Sequence, residues 1–224
     1  MKKAIYINTN RAIIYSCENN SPCPILYMHI NEEKEADTIW QQTKENDYIL
    51  ICLQGIDWNK DMSPWPAPKV FKGGEDFAGK ADGYIDFLTN TIIPQIENTI
   101  DHDITKRGLA GYSLSGLFAL YSLFKTDLFT MIGSMSGSLW YNDFIDFMQS
   151  NNIKIDNPKV YLSLGDKESK TKNPQMASVE TCTQKAQEIL DSYGAKTILE
   201  MNPGNHFTDI ENRIIKGITW LLNQ

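Results

Sequence analysis

The segment that most restricts the possible folds is Leu109-Ala110-Gly111-Tyr112-Ser113-Leu114-Ser115-Gly116, between an extended stretch and the apolar run Leu117-Phe118-Ala119-Leu120-Tyr121. Small residues on both sides of Ser113 let a chain leaving a strand turn sharply into a helix, where a bulky Cβ would strike one or the other. A turn of this kind lifts the Ser113 hydroxyl above a sheet. The alternative is an ordinary loop-to-helix junction in which Ser113 or Ser115 caps the helix. The rest of the chain decides between the two.

Residues 48–53, Tyr-Ile-Leu-Ile-Cys-Leu, are apolar without alternation, the pattern of a strand covered on both faces. Residues 160–164 and 196–201 predict further strands, as do 24–30 and 129–136. Helical spacing marks 32–44, with Ala36, Ile39 and Trp40 on one face, and 82–100, where Pro94 predicts a kink. Residues 114–124, 143–149, 176–193 and 210–222 predict the remaining helices. Strand and helix alternate from Tyr48 to the end, which argues an α/β fold with a mainly parallel central sheet covered by helices on both faces. Ahead of it, 4–8 and 12–16 flank the turn Thr9-Asn10-Arg11 and predict a leading antiparallel hairpin. A chain of 224 residues, 42% hydrophobic, has the material for one core, so a single domain over 1–224 is expected.

The net charge of −7 offers no basic patch for nucleic acid or an anionic membrane, and a small-molecule substrate fits better. The first residues lack the apolar run of a signal peptide, and no stretch approaches the length of a membrane span. A cytoplasmic location is the resulting expectation. Cys17, Cys23, Cys52 and Cys182 show no zinc-binding spacing and are expected to be reduced, with Cys52 a core residue. No metal or organic cofactor is implied.

Gly111-Tyr112-Ser113-Leu114 supplies the first four residues of the Gly-x-Ser-x-Gly nucleophile elbow, with Ser115 in the fifth place and Gly116 one residue late. A serine hydroxyl becomes a nucleophile only when a base removes its proton, and the base needs an acid to fix its tautomer. Of three histidines, His206 follows the last strand and precedes the last helix, the expected place for the base. The acid belongs between serine and histidine in the chain, where Gly165-Asp166-Lys167-Glu168 follows a strand. Glu168 is favoured because it lies far enough past the glycine for the loop to curl back, and Asp166 is the alternative. Backbone amides of Leu114 and Ile56 are the expected oxyanion donors.

Other candidates carry less. His29 reads as a satisfied strand histidine, Asp101-His102-Asp103 as a polar turn, and Gly133-Ser134-Met135-Ser136-Gly137 as an echo of the elbow with methionine at its centre. Residues 54–79 form a long aromatic segment whose Pro64, Pro66 and Pro68 exclude helix and central strand. Trp58, Trp65 and Phe71 there either line a ligand site or pin the loop to the body.

The stretches 111–121, Ser136-Gly137-Ser138-Leu139-Trp140, Leu164-Gly165-Asp166-Lys167-Glu168 and Gly204-Asn205-His206-Phe207 together resemble the Putative esterase family of α/β-hydrolases. That family includes enterochelin-type siderophore esterases and esterase-D-like enzymes. The resemblance implies an α/β-hydrolase fold and ester hydrolysis through an acyl-enzyme, with Ser113 as nucleophile, His206 as base and Glu168 at the family's acidic position. The expected function is that of a serine carboxylesterase for a small or medium acyl ester, its pocket lined by Trp58, Trp65, Tyr112 and Trp140. The competing readings are a binding module that retains the fold without turnover, and acyl transfer to an alcohol other than water.

Overall fold

The computed structural model describes residues 1–16 and 21–223, so Cys17 lies outside the described residues. Strands β1 (Lys2–Ile7) and β2 (Asn10–Tyr15) form the leading hairpin, with Lys2 opposite Tyr15 and Ile7 opposite Asn10. Its turn falls on Asn8-Thr9, earlier than the predicted 9–11, because Asn8 takes a left-handed backbone (φ 55°) that asparagine tolerates.

Next come β3 (Cys23–His29), α1 (Glu33–Thr43), β4 (Ile49–Gln54), the one-turn helix α2 (Trp58–Asp61), and two-residue strands β5 (Pro66–Ala67) and β6 (Phe77–Ala78). Helices α3 (Ala81–Phe87) and α4 (Ile93–Glu97) are joined by a π turn over Leu88–Ile92. After β7 (Ile104–Tyr112) follow α5 (Leu114–Ser122), β8 (Met131–Met135), α6 (Phe144–Ser150) and β9 (Lys159–Gly165). The chain closes with α7 (Pro174–Ala177), α8 (Val179–Ser192), β10 (Lys196–Asn202) and α9 (Ile210–Leu222).

Eight strands make one sheet in the order β1-β2-β4-β3-β7-β8-β9-β10. The pairs β1·β2 and β2·β4 are antiparallel; every later pair is parallel. The unalternating run at 48–53 is explained by its two buried faces. Ile49, Ile51 and Leu53 join one core, Tyr48, Leu50 and Cys52 the other, and none is more than 1% exposed. On the second face α1 and α9 pack together through Ala36, Ile39, Trp40, Ile214, Ile218 and Leu221. The first face is covered by α3 to α6 and α8, through residues such as Ile85, Ile96, Phe118, Phe144 and Leu190.

Several boundaries differ from expectation for local reasons. Pro94 has no amide hydrogen to donate, and the π turn just ahead of it marks where the helical ladder widens. The helix predicted over 176–193 is two helices meeting at Ser178, the first opened by Asn173, whose side chain accepts the amides of Gln175 and Met176. Residues 54–79 contain α2 and a small β5·β6 ribbon, so Pro66 sits in a strand, but one outside the main sheet. Among the described residues, no helix is long and apolar enough to cross a membrane.

The parallel strands all end on the same side. The loops after β4, β7, β8, β9 and β10 therefore converge above the carboxyl edge of the sheet, where α/β folds place ligands.

Candidate active site

Ser113 occupies the one residue between β7 and α5, with φ 60° and ψ −123°, a region that side chains other than glycine's seldom enter. The turn is so tight that a Cβ on Gly111 would lie 2.1 Å from Ser115 Oγ and 2.5 Å from its carbonyl carbon. Position 111 therefore admits only glycine. Position 115 does admit serine: Ser115 is fully buried, and its hydroxyl lies 3.3 Å from His29 Nδ1, whose Nε2 meets the Tyr84 hydroxyl at 2.8 Å. The second small residue of the turn thus anchors the start of α5 to β3. Burial lowers the pKa of His29 to about 3, so the ring is neutral.

The structure brings Ser113, His206 and Glu168 together. His206 Nε2 is 3.0 Å from Ser113 Oγ, and His206 Nδ1 is 2.8 Å from Glu168 Oε2. An ionised carboxylate only accepts, so the proton of the neutral ring sits on Nδ1 and the Nε2 lone pair faces the serine hydroxyl. Asp166, the alternative acid, turns elsewhere: its Oδ1 accepts the Gly204 amide at 2.8 Å, closing the turn that leads to His206.

Glu168 is held through its other oxygen. Oε1 accepts from Ser136 Oγ (2.7 Å), the Gly165 amide (2.7 Å) and Arg213 Nη1 (2.8 Å). Burial pushes its pKa up, but hydrogen bonds from His206, Ser136 and Gly165 outweigh that and hold it below the ordinary carboxylate value. Arg213, 1% exposed on α9, also gives Nη1 to Tyr112 and Ser136 and Nη2 to the carbonyls of Pro203 and Asn205. It lies so flat against Gly165 that a Cβ there would come within 2.8 Å of Nη2.

Arg213 and Ser136 escaped the sequence reading. The signal for Arg213 was present, since 213, 217 and 221 share one stripe of α9 with the inward residues Gly217 and Leu221. Ser136 lay inside the discounted echo of the elbow. It follows the last residue of β8 with a positive φ of 46° and carries its hydroxyl to the carboxylate. Ser138, two residues on, places its hydroxyl 3.5 Å from Ser113 Oγ.

A cavity of about 270 Å³ opens above Ser113 and His206. Trp58, Trp140 and Leu114 line it. Trp65 does not: its indole donates to the Asn142 carbonyl at 3.1 Å, and its ring packs among Tyr121, Tyr141 and Phe147. Tyr112 does not line it either. Its hydroxyl donates to the His206 carbonyl at 2.8 Å and its ring packs beside the imidazole, so it supports the histidine from below. Phe71, 54% exposed, stands at the mouth. Ile56 follows the end of β4 half-buried against the core, and the cavity lining on that side begins at Trp58. Among the described residues no group of three His, Cys, Asp or Glu side chains is disposed to hold a metal ion.

The family model described as Putative esterase matches residues 15–209. The chain is 26% identical over 199 residues to the uncharacterized protein YbbA of Bacillus subtilis (strain 168), which covers 85% of this chain and 80% of that protein. An IroE-like serine hydrolase from Shewanella oneidensis superposes with a TM-score of 0.80 at 15% identity, over 99% of this chain and 79% of the other. The siderophore hydrolase EstA from Aspergillus nidulans superposes with a TM-score of 0.72 at 18% identity, over 100% and 94%. At these identities the superpositions speak to the fold, while the sequence model runs from the end of β2 to the residue before α9. The chain accordingly belongs to the Putative esterase family and is a serine ester hydrolase.

Proposed function

We propose that this protein is a carboxylesterase that cleaves a small-molecule ester of small or medium acyl size through an acyl-enzyme on Ser113. The observation that carries this reading is the unbroken relay from Ser113 Oγ to His206 (3.0 Å) and from His206 to Glu168 (2.8 Å), built on a serine in a strained turn.

Ser113 Oγ attacks the ester carbonyl carbon while His206 Nε2 accepts its proton. Negative charge then develops on the carbonyl oxygen, and the Leu114 amide, which has no partner inside its own helix, receives it together with the Ile56 amide from the loop after β4. Collapse breaks the bond to the alcohol, which leaves with the proton from His206. A water molecule, deprotonated by the same nitrogen, attacks the acyl-enzyme and releases the carboxylic acid. Throughout, Glu168 fixes the tautomer of His206 and balances the imidazolium. Of the four expected pocket aromatics, Trp58 and Trp140 are proposed to touch the substrate.

The test is turnover of p-nitrophenyl esters by wild type and Ser113→Ala, with fluorophosphonate labelling located by peptide mass spectrometry. A label on Ser113 and loss of turnover in the variant are expected. Turnover that survives the substitution, or a label on Ser115, Ser136 or Ser138, overturns the assignment.

A further inference from the structure

The cavity above Ser113 is walled mainly by apolar side chains, Trp58, Val70, Phe77, Trp140, Met176 and Val179 among them, with Asn59 and Ser138 as uncharged polar members. Apart from His206 and Glu168, the charged residues among its lining are Lys69 and Glu75, opposite in sign and both exposed at the rim. No cation and no further carboxylate stands inside the walls to meet a charged group. Transferring an unpaired charge from water to such surroundings is strongly unfavourable, whereas apolar surface gains from it.

The two walls are also tied to each other. Asn173 Nδ2 donates to the Val70 carbonyl at 3.0 Å, and the same side chain accepts the amides of Gln175 (2.9 Å) and Met176 (3.2 Å). One residue thereby ties the loop wall that carries Val70 to the helical wall that carries Met176. On the loop side the Lys69 amide donates to Asp76 at 3.0 Å, closing the turn behind Val70. The walls are a braced frame, not two independent flaps. The whole cavity, including the space above Ser113 that the reacting ester group fills, has a volume of about 270 Å³, roughly nine water-sized units at about 30 Å³ each.

We propose that this frame is a subsite for an uncharged, apolar limb of the ester, of about six to ten non-hydrogen atoms, and that Asn173 sets its length limit by bracing Val70 to Met176. The inference rests on Ser113 being the nucleophile. The limb can belong to the acyl or the alcohol half, because either is bonded to the carbon that Ser113 attacks.

Two series separate these sources: p-nitrophenyl esters of straight-chain acids from two to sixteen carbons, and acetate esters of straight-chain alcohols over the same range. In one of them kcat/KM is expected to rise at least tenfold to an optimum near six to eight carbons and to fall beyond about ten, in keeping with the discrimination a methylene gains in an apolar pocket. A terminal carboxylate or ammonium on a chain of optimal length is expected to lower kcat/KM at least tenfold. Met176→Trp should move the optimum to shorter chains, and Asn173→Ala should flatten the fall on the long side. Fluorophosphonate labelling of the same preparations reports on the nucleophile separately. Labelled Ser113 with the two-carbon substrate best in both series, or with a charged chain preferred, overturns the subsite. An unlabelled Ser113 overturns the esterase mechanism, and the subsite with it.

Discussion

Arg213 Nη1 lies 2.8 Å from Glu168 Oε1, the carboxylate oxygen that His206 does not use. The two oxygens of one carboxylate are thus divided between a fixed cation and a ring that must gain and lose a proton. Because the arginine also holds the Pro203 and Asn205 carbonyls, it positions the acid and the loop of the base together.

Replacing Arg213 by Met should leave a buried carboxylate without its cation, destabilising the fold by roughly 3–5 kcal/mol. Arg213→Lys keeps the charge but cannot span both Glu168 and the two carbonyls, and a smaller loss is expected. Urea denaturation measures the stability. In the folded fraction, kcat should fall more than KM changes, and the acid limb of the pH–rate profile should move upward in Arg213→Met as Glu168 becomes easier to protonate. An unchanged profile would reduce Arg213 to a structural residue.

Ser113 carries backbone strain that glycine would not feel. Ser113→Gly and Ser113→Ala should both be inactive, yet the glycine variant should be the more stable of the two by about 1 kcal/mol, since glycine enters this region at no steric cost. Paired thermal melts decide it, and equal stability would remove the claim of strain.

His29 predicts a pH dependence of stability. Its folded pKa of about 3 lies below the ordinary 6.5, so below pH 6.5 the unfolded chain binds a proton that the folded chain does not. Stability contributed by the neutral ring is therefore present above that pH and is lost as pH falls toward 3. Between pH 7 and pH 5 the loss should reach about 2 kcal/mol. Glu168, whose pKa is lowered, acts only below the ordinary carboxylate value of 4.5; Glu35, raised by burial, acts in the opposite sense. Comparing wild type with His29→Gln by denaturation at several pH values isolates the histidine, and parallel slopes would contradict its role.

The two loop tryptophans should behave differently. Trp65→Ala removes a ring packed among three others and should cost about 2–3 kcal/mol of stability while leaving the ranking of ester substrates intact. Trp58→Ala should cost less in stability and change KM. Kinetics on the chain-length series, together with melting temperatures, separate the two effects.

Much of the parallel sheet was legible because strands such as β4 are buried on two faces and read as unbroken apolar runs, whereas the border strand β10 is only partly covered and carries Lys196 and Glu200. The elbow was legible because its geometry permits few side chains. Asp166 and Glu168 could not be ranked securely, since both follow the same glycine and only the path of the loop sends Asp166 to the Gly204 amide. Trp65 and Tyr112 were expected in the pocket because an aromatic residue near a turn looks the same in sequence whether it faces a cavity or braces the wall behind it. Arg213 was hard to single out because, beside Glu211, Asn212 and Lys216 on the same helix, an arginine reads as a solvent-facing residue, and its partners lie 8 to 101 positions away in the chain.

The loops that follow β9 and β10 are stitched to each other: the Asp166 amide donates to the Asn202 carbonyl, the Lys167 amide to the Gly204 carbonyl, and the Gly204 amide to Asp166. Glu168 and His206 therefore ride on the outermost strand pair of the sheet, while Ser113 rides on an interior strand. That border is fastened to the serine's own strand by Tyr112, whose hydroxyl donates to the His206 carbonyl, and to the end of β8 by Ser136, whose hydroxyl donates to Glu168, so the acid and base keep their distance from Ser113 only while these two cross-links hold.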